Sequence, residues 1–128
     1  MSFHMTKTVP LPFDQAIEAV TNALKAEGFG ILTDIDVKAT LHNKLNVDFR
    51  PYRILGACNP PLAHEALQAE DKVGVLLPCN VVVQEMKPGE VEVSAMDPVD
   101  AMKSIGNDKL TDLANRVRER LEKVLNAL

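Results

Sequence analysis

Residues 81–96, VVVQEMKPGEVEVSAM, predict a β-hairpin in the second half of this chain. The runs 81–86 and 91–96 are rich in valine, and β-branched residues favour strands. Between them, the segment 87–90 (Lys-Pro-Gly-Glu) places proline and then glycine at the centre of a turn. The second strand should therefore return antiparallel to the first, which makes an antiparallel sheet the expected framework.

Upstream of the hairpin, the hydrophobic pattern switches between strand and helix periods. Residues 3–9 alternate largely between apolar and polar side chains, which predicts a first strand. Over residues 13–24 the apolar positions recur every three or four residues, as in an amphipathic helix, and Gly28 can supply a left-handed C-terminal cap. Period two returns over residues 31–37, which predicts a half-buried strand.

The middle of the chain predicts four further segments. Residues 41–49 have apolar positions four apart and predict a short helix, and residues 52–58 predict a third strand. Asn59 precedes two prolines, which is a strong start signal for a helix, because asparagine caps and proline suits the first turn. Residues 73–77 predict a strand that Pro78 separates from the hairpin, since proline cannot donate to a ladder.

The C-terminal part predicts a short helix from Asp97-Pro98 to about Gly106, followed by a long helix. The order of elements predicts a single α+β domain over residues 1–128, in two layers, with a mostly antiparallel sheet and the helices packed on one face. The other sheet face is expected to be half polar, so that a dimer or a ligand could cover it. The long helix carries one apolar seam: Leu110, Ala114, Val117, Leu121, Val124 and Leu128.

Composition excludes several classes of protein. Of the 128 residues 46% are hydrophobic, with no tryptophan and one tyrosine, which predicts an aliphatic core. The net charge of −4 argues against general binding to nucleic acid or to an anionic membrane. No apolar run approaches the roughly 20 residues that span a bilayer, and the N-terminus lacks the pattern of a secretory signal. A cytoplasmic location is expected, with both cysteines as thiols rather than as a permanent disulfide.

Two Cys-Asn pairs form the candidate site. Cys58-Asn59 and Cys79-Asn80 contain both cysteines of the chain, and each pair lies at a predicted strand end beside proline. If the fold brings the pairs together, they form a thiol-lined binding site with carboxamide side chains beside it. The alternative is that both cysteines are small buried hydrophobic residues, with Asn59 capping a helix and Asn80 satisfying backbone groups near Pro78.

A zinc site would need His42 and His64 in addition to Cys58 and Cys79. These residues show neither a Cys-x-x-Cys nor a His-x-x-x-His spacing, and histidines on short polar helices are usually solvated. No metal is therefore expected. The sequence does not indicate a cofactor.

Five phrases of the chain, taken in order, carry a resemblance to one family: Gly28-Phe29, Ile35-Asp36-Val37, YRILGACNP at 52–60, Leu77-Pro78-Cys79-Asn80 and Asp97-Pro98. In their order and spacing they resemble domain-of-unknown-function family 302 (DUF302), over nearly the whole chain. The resemblance implies a compact α+β domain that forms a homodimer, a bacterial or archaeal origin and no established activity. It also implies glycine in many members at the position of Cys58, so that a thiol is not the basis of a function common to all.

These observations support two hypotheses about function. The preferred one is a homodimeric module without catalytic machinery, which binds a small molecule or a partner protein near Cys58-Asn59 and Cys79-Asn80. The second is a thiol-dependent protein that handles sulfur species or redox equivalents, with Cys58 attacking and Cys79 resolving. For the second, both thiols must be accessible and close enough for a bridge. A purely structural role in a larger assembly is a third interpretation.

Overall fold

The computed structural model describes residues 2–128. Over this range five strands occur: β1 (His4–Val9), β2 (Gly30–Asp36), β3 (Tyr52–Cys58), β4 (Cys79–Lys87) and β5 (Glu90–Met96). Five α-helices accompany them: α1 (Phe13–Ala26), α2 (Val37–Leu45), α3 (Pro60–Ala69), α4 (Pro98–Met102) and α5 (Asp108–Asn126). Short 3-10 turns lie at Val73–Leu76 and Lys103–Ile105. Between residues 2 and 128, no helix combines the length and the apolar character that crossing a bilayer requires.

The strands form one antiparallel sheet in the order β1-β5-β4-β3-β2. The predicted hairpin is confirmed as β4 and β5, in which Val83 pairs with Val93. Gly89 has a φ of 77° in the connecting turn, a left-handed conformation that glycine adopts without the steric cost of a side chain. The antiparallel sheet predicted from this hairpin is therefore confirmed.

Helices α1 and α5 pack on one face of the sheet and enclose the main core. Leu55, Val81 and Ala95 form an inward row across β3, β4 and β5, and each is at most 2% exposed. Because side chains alternate along a strand, this row faces the helices while its neighbours face away. The predicted α+β class with a two-layer core is confirmed. The helices contribute Ala16, Val20 and Leu24 from α1 and Leu121, Val124 and Leu125 from α5.

The opposite face, which we call the open face, carries a second cross-strand row. Its members pair in turn across all five strands, from β2 to β1. The row is apolar on β2, β3 and β4 and polar on β5 and β1, in agreement with the expectation of a half-polar face. In that order the residues are Ile35, Ile54, Val82, Ser94 and Thr6.

A second, smaller core lies between α3, α4 and α5. Leu110 is fully buried there, together with Val73 of the 3-10 turn, which is 1% exposed. Val117 of α5 packs against both cores and so lies where they meet. The remaining buried members of the smaller core are Leu62, Ala66, Met102, Leu113 and Ala114.

Three predictions from the sequence are wrong in detail. Residues 73–77 are not a strand: Val75 N–H donates to the Lys72 carbonyl and Leu77 N–H to the Gly74 carbonyl, and these local bonds make a 3-10 turn. The helix predicted over 41–49 begins earlier and ends at Leu45, because Asn46 adopts a left-handed conformation.

The third wrong prediction concerns β2. This strand was expected to be half buried, but it is the last strand of the sheet, with a neighbour on one side. Among its described residues, Ile31 alone packs against the main core, and the six others are exposed. An alternating pattern therefore gave the correct strand but not its burial, because period two is the same at the edge of a sheet and at its centre.

Candidate functional site

The two cores leave between them a cavity of about 330 Å³, which we call the α3–α5 cavity. Its deep part is formed by residues such as Phe29, Ala57 and Ala114, each at most 2% exposed. Its mouth is open to solvent, since Leu32 is 69% and Leu67 44% exposed. The other lining residues are Cys58, Asn59, Leu62, Ala63, Ala66, Gly74, Leu77, Pro78, Cys79, Pro98, Met102, Leu113 and Val117.

Three of the four predicted site residues line this cavity. Cys58 is the last residue of β3, Asn59 caps α3, and Cys79 is the first residue of β4. In the register of β3 and β4, Ala57 pairs with Cys79. The two cysteines are therefore separated by one step of the ladder, although they are 21 positions apart in the sequence.

Asn80 lies apart from the other three. It follows the buried Cys79 on β4 and is exposed, as the alternation of a strand requires. Its side chain borders a separate depression on the open face, of about 340 Å³, with His4, Tyr52 and Glu92 among its neighbours. A role for Asn80 in ligand binding therefore remains a prediction, and its side chain does not line the α3–α5 cavity.

Asn59 is held by hydrogen bonds at both ends of its carboxamide. Its Oδ1 accepts from the N–H of Leu62 at 3.4 Å and caps α3, and its Nδ2 donates to the Glu27 carbonyl at 3.5 Å. Arg120 Nη1 donates to the same carbonyl at 3.1 Å. These bonds join the start of α3 and the middle of α5 to the end of α1. Capping of α3 thus engages Oδ1, and the bond to Glu27 engages Nδ2, so that both polar atoms of the side chain have a structural role.

Cys79 is a neutral thiol at physiological pH. Its side chain is 8% exposed, and this burial raises its pKa from 9.0 to about 11, with a further contribution from the neighbouring Cys58. Loss of hydration disfavours the thiolate because the apolar walls offer the charge no compensating partner. Both cysteines are free, and Cys58 is the more exposed of the two. Cys79 can therefore donate a weak S–H hydrogen bond but is a poor nucleophile.

No group of three or more His, Cys, Asp or Glu residues in the described chain, residues 2–128, is placed to hold a metal ion. His42 borders a shallow depression beside α2 with Asp36 and Asp48, rather than the α3–α5 cavity. His64 lies on the exposed side of α3. Neither histidine is among the described residues that line the cavity with the cysteines.

Sequence reasoning missed most of the apolar residues of the site. Leu62, Ala63 and Ala66 follow the predicted helix start at Asn59, but their pattern does not indicate that this side of the helix borders a void. The available signal was the small size of the alanines: Ala63 and Ala66 on α3 line the cavity together with Ala114 on α5, where larger side chains would fill the space. The strand predicted at 73–77 was a further obstacle to finding the cavity, because these residues form a turn that lines one side of its mouth.

Comparison with known proteins identifies a family and a closely similar structure. The family described as "Domain of unknown function DUF302" matches residues 5–128. The crystal structure of an uncharacterised conserved DUF302 protein from Bacillus stearothermophilus is similar, with 31% sequence identity and a TM-score of 0.91. The similarity covers 99% of this chain and 98% of that chain. No curated protein matches significantly.

Proposed function

This chain belongs to the DUF302 family, whose function is uncharacterised, and we propose that it is a homodimeric module that binds a small molecule in the α3–α5 cavity. One observation carries the proposal: Cys58, Asn59 and Cys79 border an otherwise apolar cavity that opens to solvent. Its volume of about 330 Å³ falls within the range of roughly 300–1,000 Å³ that is usual for small-molecule sites.

Binding is proposed in preference to catalysis because of the lining chemistry. A nucleophilic thiol needs a base that takes its proton, and neither histidine nor carboxylate is found among the described residues that line the cavity. Cys79 keeps its proton at neutral pH, since burial raises its pKa to about 11. Apolar walls and an open mouth are features of a carrier or sensor site. A partner protein that inserts an apolar side chain is the alternative occupant.

The proposal is tested by filling the cavity. Ala66 is 6% exposed on α3 and lines the cavity, so Ala66→Phe should occupy much of the free volume. Gln68→Phe adds the same ring to the exposed side of the same helix and is the matched control. We expect the apolar dye Nile red to gain fluorescence with wild-type protein and Gln68→Phe, but at least fivefold less with Ala66→Phe. Equal dye binding by all three proteins would refute the site.

The homodimer is proposed on the apolar half of the open face. Ile35, Ile54 and Val82 lie side by side there, and Ile35 is 49% exposed. This aliphatic row is exposed at Ile35 and half-buried at Ile54 and Val82. It is a candidate for contact between two copies, because pairing two such rows buries apolar area that water otherwise covers. This interface is distinct from the α3–α5 cavity, so that dimerisation and ligand binding can be tested separately.

A second candidate function is thiol chemistry, and one observation favours it: both cysteines line the same cavity and lie one ladder step apart. In this function Cys58 would attack an oxidised sulfur substrate, and Cys79 would then displace the product and form a Cys58–Cys79 disulfide. The substrate would gain the two electrons that the thiols lose. If the site only binds, we expect Cys58→Ser to leave Nile red binding within twofold of wild type. Thiol chemistry instead predicts that oxidised glutathione forms the Cys58–Cys79 disulfide in the wild-type protein.

We propose a cytoplasmic location and a bacterial or archaeal origin for the protein. The location is supported by the two free cysteines, since free thiols are usual in reducing compartments. The origin is supported by the similarity to a Bacillus protein of the same family. The net charge of −4 supports a partner other than nucleic acid.

A further inference from the structure

We infer that the ligand of the α3–α5 cavity is an alkyl-chain amphiphile, held with its chain inside the cavity and its polar head at the mouth. This inference rests on the proposed function and names the chemical class of the ligand. It follows from three properties of the lining: the engagement of its one amide side chain in bonds to the backbone, its lack of charge and its volume.

The inner wall offers a ligand almost no hydrogen bonds. Among the described lining residues, Asn59 has the one side chain with nitrogen or oxygen atoms. Its Oδ1 already accepts from Leu62 N–H, and its Nδ2 already donates to the Glu27 carbonyl. A hydroxyl, amide or sugar ring placed inside would lose its hydration without replacement, which lowers affinity. The enclosed part of the ligand must therefore be hydrocarbon.

The inner wall also offers no charge. None of the described lining residues is Lys, Arg, His, Asp or Glu, and burial raises the pKa of the Cys79 thiol, so that it is neutral at pH 7. An ionised group would be desolvated there without a counter-charge. Any charge on the ligand must therefore remain where water reaches it, beside the exposed Leu32 and Leu67.

The volume sets the length of the chain. A cavity of about 330 Å³ corresponds to about eleven water-sized groups, at the roughly 30 Å³ that a water molecule occupies in the liquid, and a methylene group is of similar size. A molecule of this size with its polarity confined to one end is an alkyl-chain amphiphile, whereas sugars, nucleobases and amino acids carry polar groups all around. The predicted chain has about eight to eleven carbon atoms, as in medium-chain alcohols and carboxylates.

A homologous series tests the chain. Binding of 1-alkanols and of n-alkyl carboxylates with four to twelve carbons is measured by titration calorimetry at pH 8. We expect affinity to rise about fourfold per methylene, since each buried methylene contributes about 0.8 kcal/mol, and to level off near ten carbons. Alcohol and carboxylate of equal length should differ by less than tenfold. Affinity that does not depend on chain length, or a carboxylate that fails to bind where its alcohol binds, would overturn the inference.

A charge at the mouth tests the orientation. Leu67 borders the mouth and Gln68 is its exposed neighbour outside the cavity, so Leu67→Lys and Gln68→Lys form a matched pair. With Leu67→Lys, the ratio of decanoate affinity to 1-decanol affinity should rise about two- to fivefold, as expected for an exposed ion pair, and fall back in 1 M salt. With Gln68→Lys the ratio should remain within about 1.5-fold of wild type. Equal ratios in both variants would place the head away from the mouth and overturn the orientation.

The failure of this inference can be told apart from failure of the proposed function. If Nile red binds wild-type protein and not Ala66→Phe, but no decanol or decanoate competes with it, the site exists and the ligand class is wrong. If neither the dye nor any alkyl compound binds, the proposed function itself fails. Ala63→Leu, which adds less bulk to a half-buried lining residue, replaces Ala66→Phe if that variant does not fold. With unmodified protein, decanol should also slow the reaction of Cys58 with a thiol reagent at least threefold.

Discussion

Asn59 shows how one side chain can connect three elements. Its Oδ1 caps α3 at Leu62 N–H, and its Nδ2 donates to the Glu27 carbonyl at the end of α1. Asn59→Ala should therefore lower the free energy of unfolding by about 1–2 kcal/mol, the usual cost of a lost cap and a buried bond. Chemical denaturation measures this value. Asn80→Ala, at an exposed site on the open face, is the control and should change it by less than about 0.5 kcal/mol. The reverse ranking would contradict the structural role of Asn59.

The raised pKa of Cys79 leads to a prediction about how the alkylation rate of its thiol depends on pH. In a Cys58→Ser protein the main cause of the raised pKa, burial, remains, although the smaller contribution of Cys58 is lost. The rate of alkylation by iodoacetamide should rise about tenfold per pH unit beyond pH 9 and level off above pH 10, because only the thiolate reacts. The same protein unfolded in urea is the control and should level off near pH 9. The raised pKa also stabilises the fold below pH 9, and this contribution is lost as pH rises towards about 11. A native rate that levels off below pH 9 would contradict the assignment.

At the level of elements, the contact between β2 and β3 depends on a missing side chain. A Cβ at Gly56 would lie 2.1 Å from Thr33 Oγ1 and 2.7 Å from Pro78 Cγ, next to the irregularity in the β2–β3 register. Gly56→Ala should therefore destabilise the protein by about 1–3 kcal/mol, as overpacking usually does. Adding Thr33→Ala should recover part of this loss by removing the nearer atom.

Gly30 supplies the control for that prediction, since it lies on the neighbouring strand with nothing within 4 Å of the position of a Cβ. Gly30→Ala should change the free energy of unfolding by less than about 0.5 kcal/mol. Thermal or urea denaturation of the three variants measures the ranking. A Gly56→Ala protein as stable as Gly30→Ala would mean that β2 and Pro78 can move apart at little cost.

The sequence predicts elements well where a local interaction determines them. The 87–90 turn, the Asn59-Pro60 helix start and the Gly28 cap each follow from backbone geometry that neighbouring residues impose, and each occurs in the structure. It predicts burial poorly, because burial depends on distant partners. Residues 31–37 and 73–77 show this limit: both have apolar residues, yet one is an exposed edge strand and the other a 3-10 turn.

At the scale of the whole molecule, the candidate site could be predicted in part. Two cysteines at strand ends suggested a common location, and the β3–β4 register brings them together because those strands are neighbours in the sheet. The sequence could not predict the void beside them, which arises from the packing of α3 against α5. Asn80 was predicted to belong to the same site as Cys79 because the two are neighbours in the sequence, although adjacent residues on a strand face opposite sides. Side-chain chemistry was thus easier to predict than the space around it.

The proposed dimer leads to a prediction for the whole assembly. Ile54 lies in the middle of the apolar half of the open face, between Ile35 and Val82. Ile54→Lys would place a charge in the interface without a partner, and we expect the dissociation constant of the dimer to rise at least tenfold, because a charge that loses its hydration is strongly disfavoured. Sedimentation velocity over a range of protein concentrations measures this change.

Gln15→Lys is the control for the dimer prediction, because it adds the same charge at an exposed position on α1, on the opposite side of the sheet. Its dissociation constant should remain within about twofold of wild type, since exposed charges interact weakly. Nile red binding should be the same in both variants, because the α3–α5 cavity is lined by neither residue. If Ile54→Lys dimerises as wild type does, the interface lies elsewhere. If wild-type protein sediments as a monomer over the whole concentration range, the homodimer itself is refuted, and the apolar row on the open face must be assigned to another partner.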